Sequence, residues 1–307
     1  TGTASTANSG KNNWDAAKNW TAGTVPASTE DIYIDIASGS ILYGISNGAV
    51  ILTSLNCAAK YTGDIGLTVT NEDGYYEYRT TYCRVDASTV SIGYGLGQGS
   101  RRIKLDLGAV TASTVNVWKM GTTEEDGVPA LLLKGAHASN VLNVMQGFVG
   151  VAFFPGETAN FPVIRIGSQE SPATDADLIL GTGMSATTTI SQYGGKVTSN
   201  AAVTTWNLRG GTGISNAGAI TTLNLYNATY YHLSSATITT VNVYEGSVLD
   251  FSRDPRARAA ATINVYSGGT VLDPYKTISG TPAIQLVDCD VDEVTLKLGR
   301  AITLTRS

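Results

Sequence analysis

The feature that most restricts this fold is a short phrase written repeatedly. It reads TTWNLRGG at 204–211, TTLNLYN at 221–227, TTVNVYEG at 239–246 and TINVYSGG at 262–269. Its asparagines, Asn207, Asn224, Asn242 and Asn264, lie 17, 18 and 22 residues apart. Upstream, TTTISQYGG (187–195) carries Ser191 in the asparagine place, while STVNVWKMG (113–121) and SNVLNVMQG (139–147) supply Asn116 and Asn143. Recurrence at such a period marks one supersecondary unit stacked on copies of itself. Within each unit apolar and polar residues alternate, the period of a strand. Val241 and Val243 then face one way, Asn242 and Tyr244 the other. Glycine closes most units, where the chain must turn sharply, and a second short run follows, such as SVLDF or TVLDP.

These observations predict an all-β chain folded as a single-stranded parallel β-helix, or β-solenoid. Equivalent residues of successive coils lie over one another at about 4.8 Å. The apolar pairs Trp206/Leu208, Leu223/Leu225, Val241/Val243 and Ile263/Val265 become core columns. Asparagine over asparagine permits an amide ladder, because each amide both donates and accepts. Tyr193, Tyr226, Tyr244 and Tyr266 form a parallel column, with Arg209 interrupting it. His232, in TYYHLSS, continues the outer aromatic face. A β-sandwich is the competing fold, since evenly spaced strands and turns also suit it. The match of Asn and Gly from unit to unit favours the solenoid.

Along the chain, residues 1–13 read as an extended polar arm. Residues 14–110 read as an N-terminal cap and irregular first coils, with a strand on Ile32, Ile34 and Ile36. Residues 111–271 read as the regular coils, and 272–307 as C-terminal cap strands. Caps are needed because terminal coils expose strand edges and core.

Composition narrows the function classes. Charged residues make up 15% of the 307, and the formal net charge is −5, so no global basic field attracts nucleic acid. No segment is apolar for long enough to predict a membrane-spanning helix. The opening TGTASTANSGKNNW lacks the basic and apolar regions of a signal peptide. Cys57, Cys83 and Cys289 form no disulfide framework and share no metal spacing, which suits reduced thiols and leaves a Cys57–Cys83 bridge open.

Several groups are candidates for chemistry. Asp288, Asp290, Asp292 and Glu293 offer oxygens for Ca²⁺, but not at EF-hand spacing. GYGLGQG (93–99) lacks the GK[ST] of a phosphate loop and reads as a flexible turn. Asp250, Asp254 and Asp273, with Arg253, Arg256 and Arg258, could bring carboxylates together on adjacent coils, as glycoside hydrolysis requires. They equally suit an inserted charged loop. His137 and His232 have no nucleophile motif beside them. The sequence therefore assigns no catalytic, cofactor-binding or metal residue. The Asn/Tyr face suits either simple solvation or glycan contact.

The opening NNWDAAKNWTAGTVPASTEDIYID resembles the start of bacterial surface β-solenoids and of structural proteins of tailed bacteriophages. RRIKLDLGAVTASTVNVWKMG, PALLLKGAHASNVLNVMQGFVGVAF and TINVYSGGTVLDP look like a phage structural family, over most of the chain. The resemblance implies a non-enzymatic virion component, such as a capsid decoration protein, head fibre or tail-associated protein. It implies assembly in the host cytoplasm and the major capsid protein as partner. A homo-oligomer, with a trimer as the expected symmetry, and a host-surface glycan complete the expected partners. Nucleic acid and membrane are not among them. The alternatives are a glycan-binding adhesin and a β-helix enzyme acting on polysaccharide.

Overall fold

The computed structural model describes residues 10, 12–35, 39–70, 73–76, 81–185, 187–279, 283–299 and 304–306. Most of the expected 1–13 arm, Ile36 and part of the aromatic stretch 71–86 lie outside them. The chain is an all-β parallel solenoid, as its repeat predicts. Helix is limited, among the described residues, to two three-residue 3₁₀ turns, Ala17–Asn19 and Val291–Glu293. Two compact units meet in sequence between Asn160 and Phe161, inside the 111–271 segment.

In the first unit one sheet stacks Asp31–Ile34, Ser46–Ala58, Cys83–Tyr94, Thr114–Val117 and Val141–Val144 in parallel. A second sheet stacks Ile103–Asp106, Leu131–Lys134 and Gly147–Val151. Coils therefore begin well before residue 111. Their marker column runs Tyr33, Asn56, Ser91, Asn116, Asn143. The start of the unit is closed by Asn13, which pairs with Tyr43, and by buried Trp14, packed edge-on against Trp20 at 4.9 Å. The Trp20 indole donates to the Trp14 carbonyl at 2.7 Å, so the two tryptophans of the opening motif form one plug.

In the second unit one sheet stacks Val163–Ile166, Thr187–Gln192, Val203–Leu208, Ile220–Leu225, Ile238–Val243, Arg258–Val265, Ala283–Leu286 and Leu304–Arg306. The other stacks Ala173–Leu180, Gly194–Ser199, Thr212–Ser215, Thr229–His232, Val248–Asp250, Thr270–Leu272 and Thr295–Lys297. The register is residue for residue: Asn207, Asn224, Asn242 and Asn264 are directly paired. The core columns are Ile190–Trp206–Leu223–Val241–Ile263–Ile284 and Leu208–Leu225–Val243–Val265–Leu286, all fully or nearly fully buried.

Two details show how the core tolerates an uneven repeat. Trp206 is much larger than its column neighbours, and on the facing sheet Gly213 takes the position paired with Tyr230. A Cβ on Gly213 would lie 2.7 Å from Tyr230 and 3.2 Å from Trp206, so the missing side chain makes room for both rings. Gln192 occupies an otherwise apolar column and is satisfied there: its amide donates to Gly195 O and Thr212 O, and accepts from the Trp206 indole at 3.2 Å. At the far end, the column of Val265 and Leu286 finishes in Arg306, which pairs with Asp290.

Candidate functional site

The most regular surface is the outer ladder of the second unit. Asn224 donates to Asn207 at 2.8 Å, Asn242 to Asn224 at 2.7 Å and Asn264 to Asn242 at 2.7 Å. Asn143 donates to Asn116 at 2.8 Å in the first unit. The two inner amides, Asn224 and Asn242, are each donor to one coil and acceptor from the next. Replacing Asn242 with Ala leaves an acceptor on Asn224 and a donor on Asn264 half-buried and unpaired. We expect Asn242→Ala to lower unfolding stability by about 1–2 kcal/mol, read from the urea midpoint, although no apolar contact is lost. An unchanged midpoint contradicts the ladder.

Beside it, Tyr226 and Tyr244 stack at 4.5 Å with planes 5° apart, and Tyr244 and Tyr266 at 4.3 Å and 24°. Contrary to the sequence reading, Arg209 does not interrupt this column; its guanidinium lies 4.4 Å over the Tyr226 ring and continues it. A planar cation substitutes for a ring by shape. The stacking has a consequence for glycan contact. Both faces of Tyr244 are covered by its neighbours, so the face on which a sugar would stack is already used.

The charged loop is likewise committed to structure. Asp254 pairs with Arg256 through several contacts and with Arg258 at 2.6 Å, and these guanidinium hydrogen bonds, Arg256 first, hold its carboxyl well below the usual range. Arg258 itself is buried and donates to the carbonyls of Arg256 and Ala257. Arg253 lies over the Tyr231 ring at 3.3 Å. Asp250 accepts from Ser252 N at 2.6 Å. Asp273 is fully buried and accepts from Thr277 N, Thr277 Oγ1 and Ile278 N at 2.6, 2.8 and 3.0 Å. The register sets Asp250 beside Leu272 rather than beside Asp273. A hydrolytic pair needs one carboxyl poised as an acid and open to substrate; Asp273 is sealed and Asp254 is held ionised.

His232 departs from the sequence reading. It is fully buried, not on the outer face, because the strand Thr229–His232 alternates so that Tyr230 and His232 point inward. Its Nδ1 is 2.8 Å from Ser215 Oγ on the coil below. The pair is a nucleophile next to a base, which the sequence showed no sign of. Ser215 and His232 are nevertheless both sealed in the core, and Phe251 packs edge-on against the imidazole at 5.6 Å. Burial first, then Arg258, lower its pKa to about 4, so it is neutral at pH 7. His137 lies in a turn and accepts from Ser139 N at 3.2 Å.

Lys104 is a second buried titratable group that sequence reasoning missed. It projects opposite to Ile103 and Leu105, so it leaves the interior only to be covered on the outside of its sheet. Burial lowers its pKa to about 8. Its Nζ has no hydrogen-bond partner among the described residues, and neither has Glu125 Oε1. Both line a cavity of about 10 Å³. That is room for one water, not for a substrate.

The remaining sequence candidates resolve as follows. Cys57 and Cys83 are buried and unbridged, with burial pushing the Cys57 thiol up to about 12, the environment of an inert thiol. Asp290 and Glu293 close a capping box around Val291–Glu293, which commits these two of the four acidic residues to that turn. No metal-holding group of His, Cys, Asp and Glu occurs among the described residues. GYGLGQG is a turn anchored at both ends, with Leu96 exposed between them: Gly99 N donates to Ala59 O at 2.8 Å, and Gly93, at φ 73°, abuts the backbone of Lys119 too closely for any Cβ. No helix among the described residues is long and apolar enough to cross a membrane.

Compared with family models, curated proteins and solved structures, the chain gives no match.

Proposed function

We propose that this chain is a non-enzymatic structural protein of a tailed-phage particle, bound to the outside of the head through the major capsid protein. The observation that supports a structural role is the use made of its reactive groups. Asp254, Asp273, His232 and Cys57 are each tied into a turn, an ion pair or the core, and Lys104 lines a cavity of only about 10 Å³. The outer ladder of the second unit is a hydrogen-bonded, stacked wall. Such a wall resists local opening, because its inner rungs are held from both sides. The assignment to a particle rests on the resemblance of the opening and repeat motifs. A trimer is the oligomer proposed, its subunits arranged about a closed symmetry axis.

Mass spectrometry of purified particles tests this. The chain should be present at a copy number comparable to that of the capsid protein. Its absence from particles, or its recovery in a secreted bacterial fraction, sinks the reading. The carbohydrate-active alternative gains support instead if the protein releases reducing sugar from host polysaccharide and Asp250→Asn or Asp254→Asn abolishes the release.

A further inference from the structure

The first unit carries an open cleft of about 300 Å³ that none of the preceding roles uses. Its floor exists because side chains are missing. Gly108–Ala109 and Gly135–Ala136 occupy the same place one coil apart, and Ala136 N donates to Gly108 O at 2.7 Å. Gly156, on the adjacent segment whose Thr158 carbonyl accepts from Gly135 N, lines it too. At Gly108, φ is 65° and a Cβ would overlap the Arg84 guanidinium, so the position admits only glycine while that arginine keeps its place.

Around this floor stands a column of alternating charge. Arg84, Asp106 and Lys134 are directly paired in register on successive coils. Arg84 spends Nε and Nη2 on the buried carboxylate of Asp86, at 2.7 and 3.2 Å. Lys134 Nζ is 3.5 Å from Asp106 and 4.6 Å from the centre of the Tyr82 ring. Asp106 uses Oδ1 to accept from Gly108 N at 2.9 Å. Glu157 Oε2 accepts from Phe154 N at 3.1 Å, so the cleft presents two cationic donors that are each paired with a carboxylate yet keep further N–H groups, the second lone pairs of the Asp106 and Glu157 carboxylates, and the exposed hydroxyl of Thr158. Cationic donors and carboxylate acceptors alternate along the column, so a ligand that carries both an anion and hydroxyls finds partners for each side by side. The volume is that of a small-molecule site at the lower end of the usual range, about 300–1,000 Å³.

We propose that this cleft binds one carboxylate-bearing sugar unit, such as a uronic acid of a surface polysaccharide. Arg84 and Lys134 hold the carboxylate, while Asp106, Glu157 and Thr158 take the ring hydroxyls. The site is separate from the tyrosine column and independent of the particle assignment.

The test is titration of the full chain with D-glucuronate, using D-glucose as the neutral probe, followed by amide NMR shifts or calorimetry. Saturable binding of glucuronate, with shifts at Gly108, Gly135 and Gly156, is expected, and glucose should bind at least tenfold more weakly. Lys134→Met should weaken glucuronate at least tenfold. Ala136→Trp, at an exposed position, should fill the cleft and abolish binding even if the lysine variant fails to fold. The proposal is overturned by the absence of saturation at tens of millimolar, by equal binding of glucose, or by full binding in Ala136→Trp.

Discussion

Trp206→Ala should be the most damaging single substitution in the second unit, lowering its stability by about 3–5 kcal/mol. The indole is fully buried and meets Tyr230 edge-on at 5.4 Å. Its N–H also satisfies Gln192, the polar residue in an apolar column. Truncation leaves both a cavity and an unpaired amide oxygen, and the neighbouring strands cannot close the gap without breaking register with the coils on either side. Denaturant unfolding, with hydrogen exchange of strands Val203–Leu208 and Thr229–His232 to localise the loss, checks this. Trp206→Phe, which keeps a ring but not the N–H, should lose clearly less. A loss under about 1 kcal/mol for the alanine variant would mean that the ring does not hold these coils together.

The second large effect is on acid stability. His232 is neutral in the fold, with a pKa lowered from 6.5 to about 4. Ser215, Tyr230 and Phe251 face it; burial lowers its pKa most, the Ala236 backbone offsets part of that, and the charge of Arg258 lowers it further. As pH falls below the unfolded value, the unfolded chain takes up a proton that the folded chain refuses. Stability is therefore full above about pH 6.5 and falls progressively toward pH 4, by about 3 kcal/mol from this group, then levels off. His232→Phe cannot take part in this. The wild-type curve should fall more steeply than the variant curve between pH 6.5 and 4, and the two should run parallel below it. Parallel curves throughout would place the imidazole in contact with water.

The fold was legible because the repeat fixes register as well as strand type. Asn207, Asn224, Asn242 and Asn264 fall opposite one another where their spacing puts them. The same column in the first unit was harder to see. Asn56 and Ser91 lie within strands of 13 and 12 residues whose pairing shifts register twice, so the short repeated phrase is absent. His232 was misplaced for a simpler reason. TYYHL offers aromatic residues at adjacent positions, and a one-residue change of phase exchanges inside and outside. Arg209 was read by residue name, whereas the column selects flatness. The cleft left no motif, since small residues make it by absence. Gly108–Ala109 and Gly135–Ala136 do recur 27 residues apart, as do Asn116 and Asn143, and that shared interval was the available signal.

The central claim is that coils stack in parallel, residue over equivalent residue, with the asparagines as rungs. Cross-linking tests it most directly. Thr222 and Thr240 are paired across neighbouring coils on the outer face, at a strand spacing of about 4.8 Å. Cysteines at both positions, in a Cys289→Ser background, lie within the roughly 4.4–6.8 Å that a disulfide spans. Thr222→Cys with Thr240→Cys should oxidise readily to one intramolecular bridge, and Thr222→Cys with Asn242→Cys, two residues out of register, should not. Efficient bridging of the shifted pair, or none of the matched pair, would contradict the account.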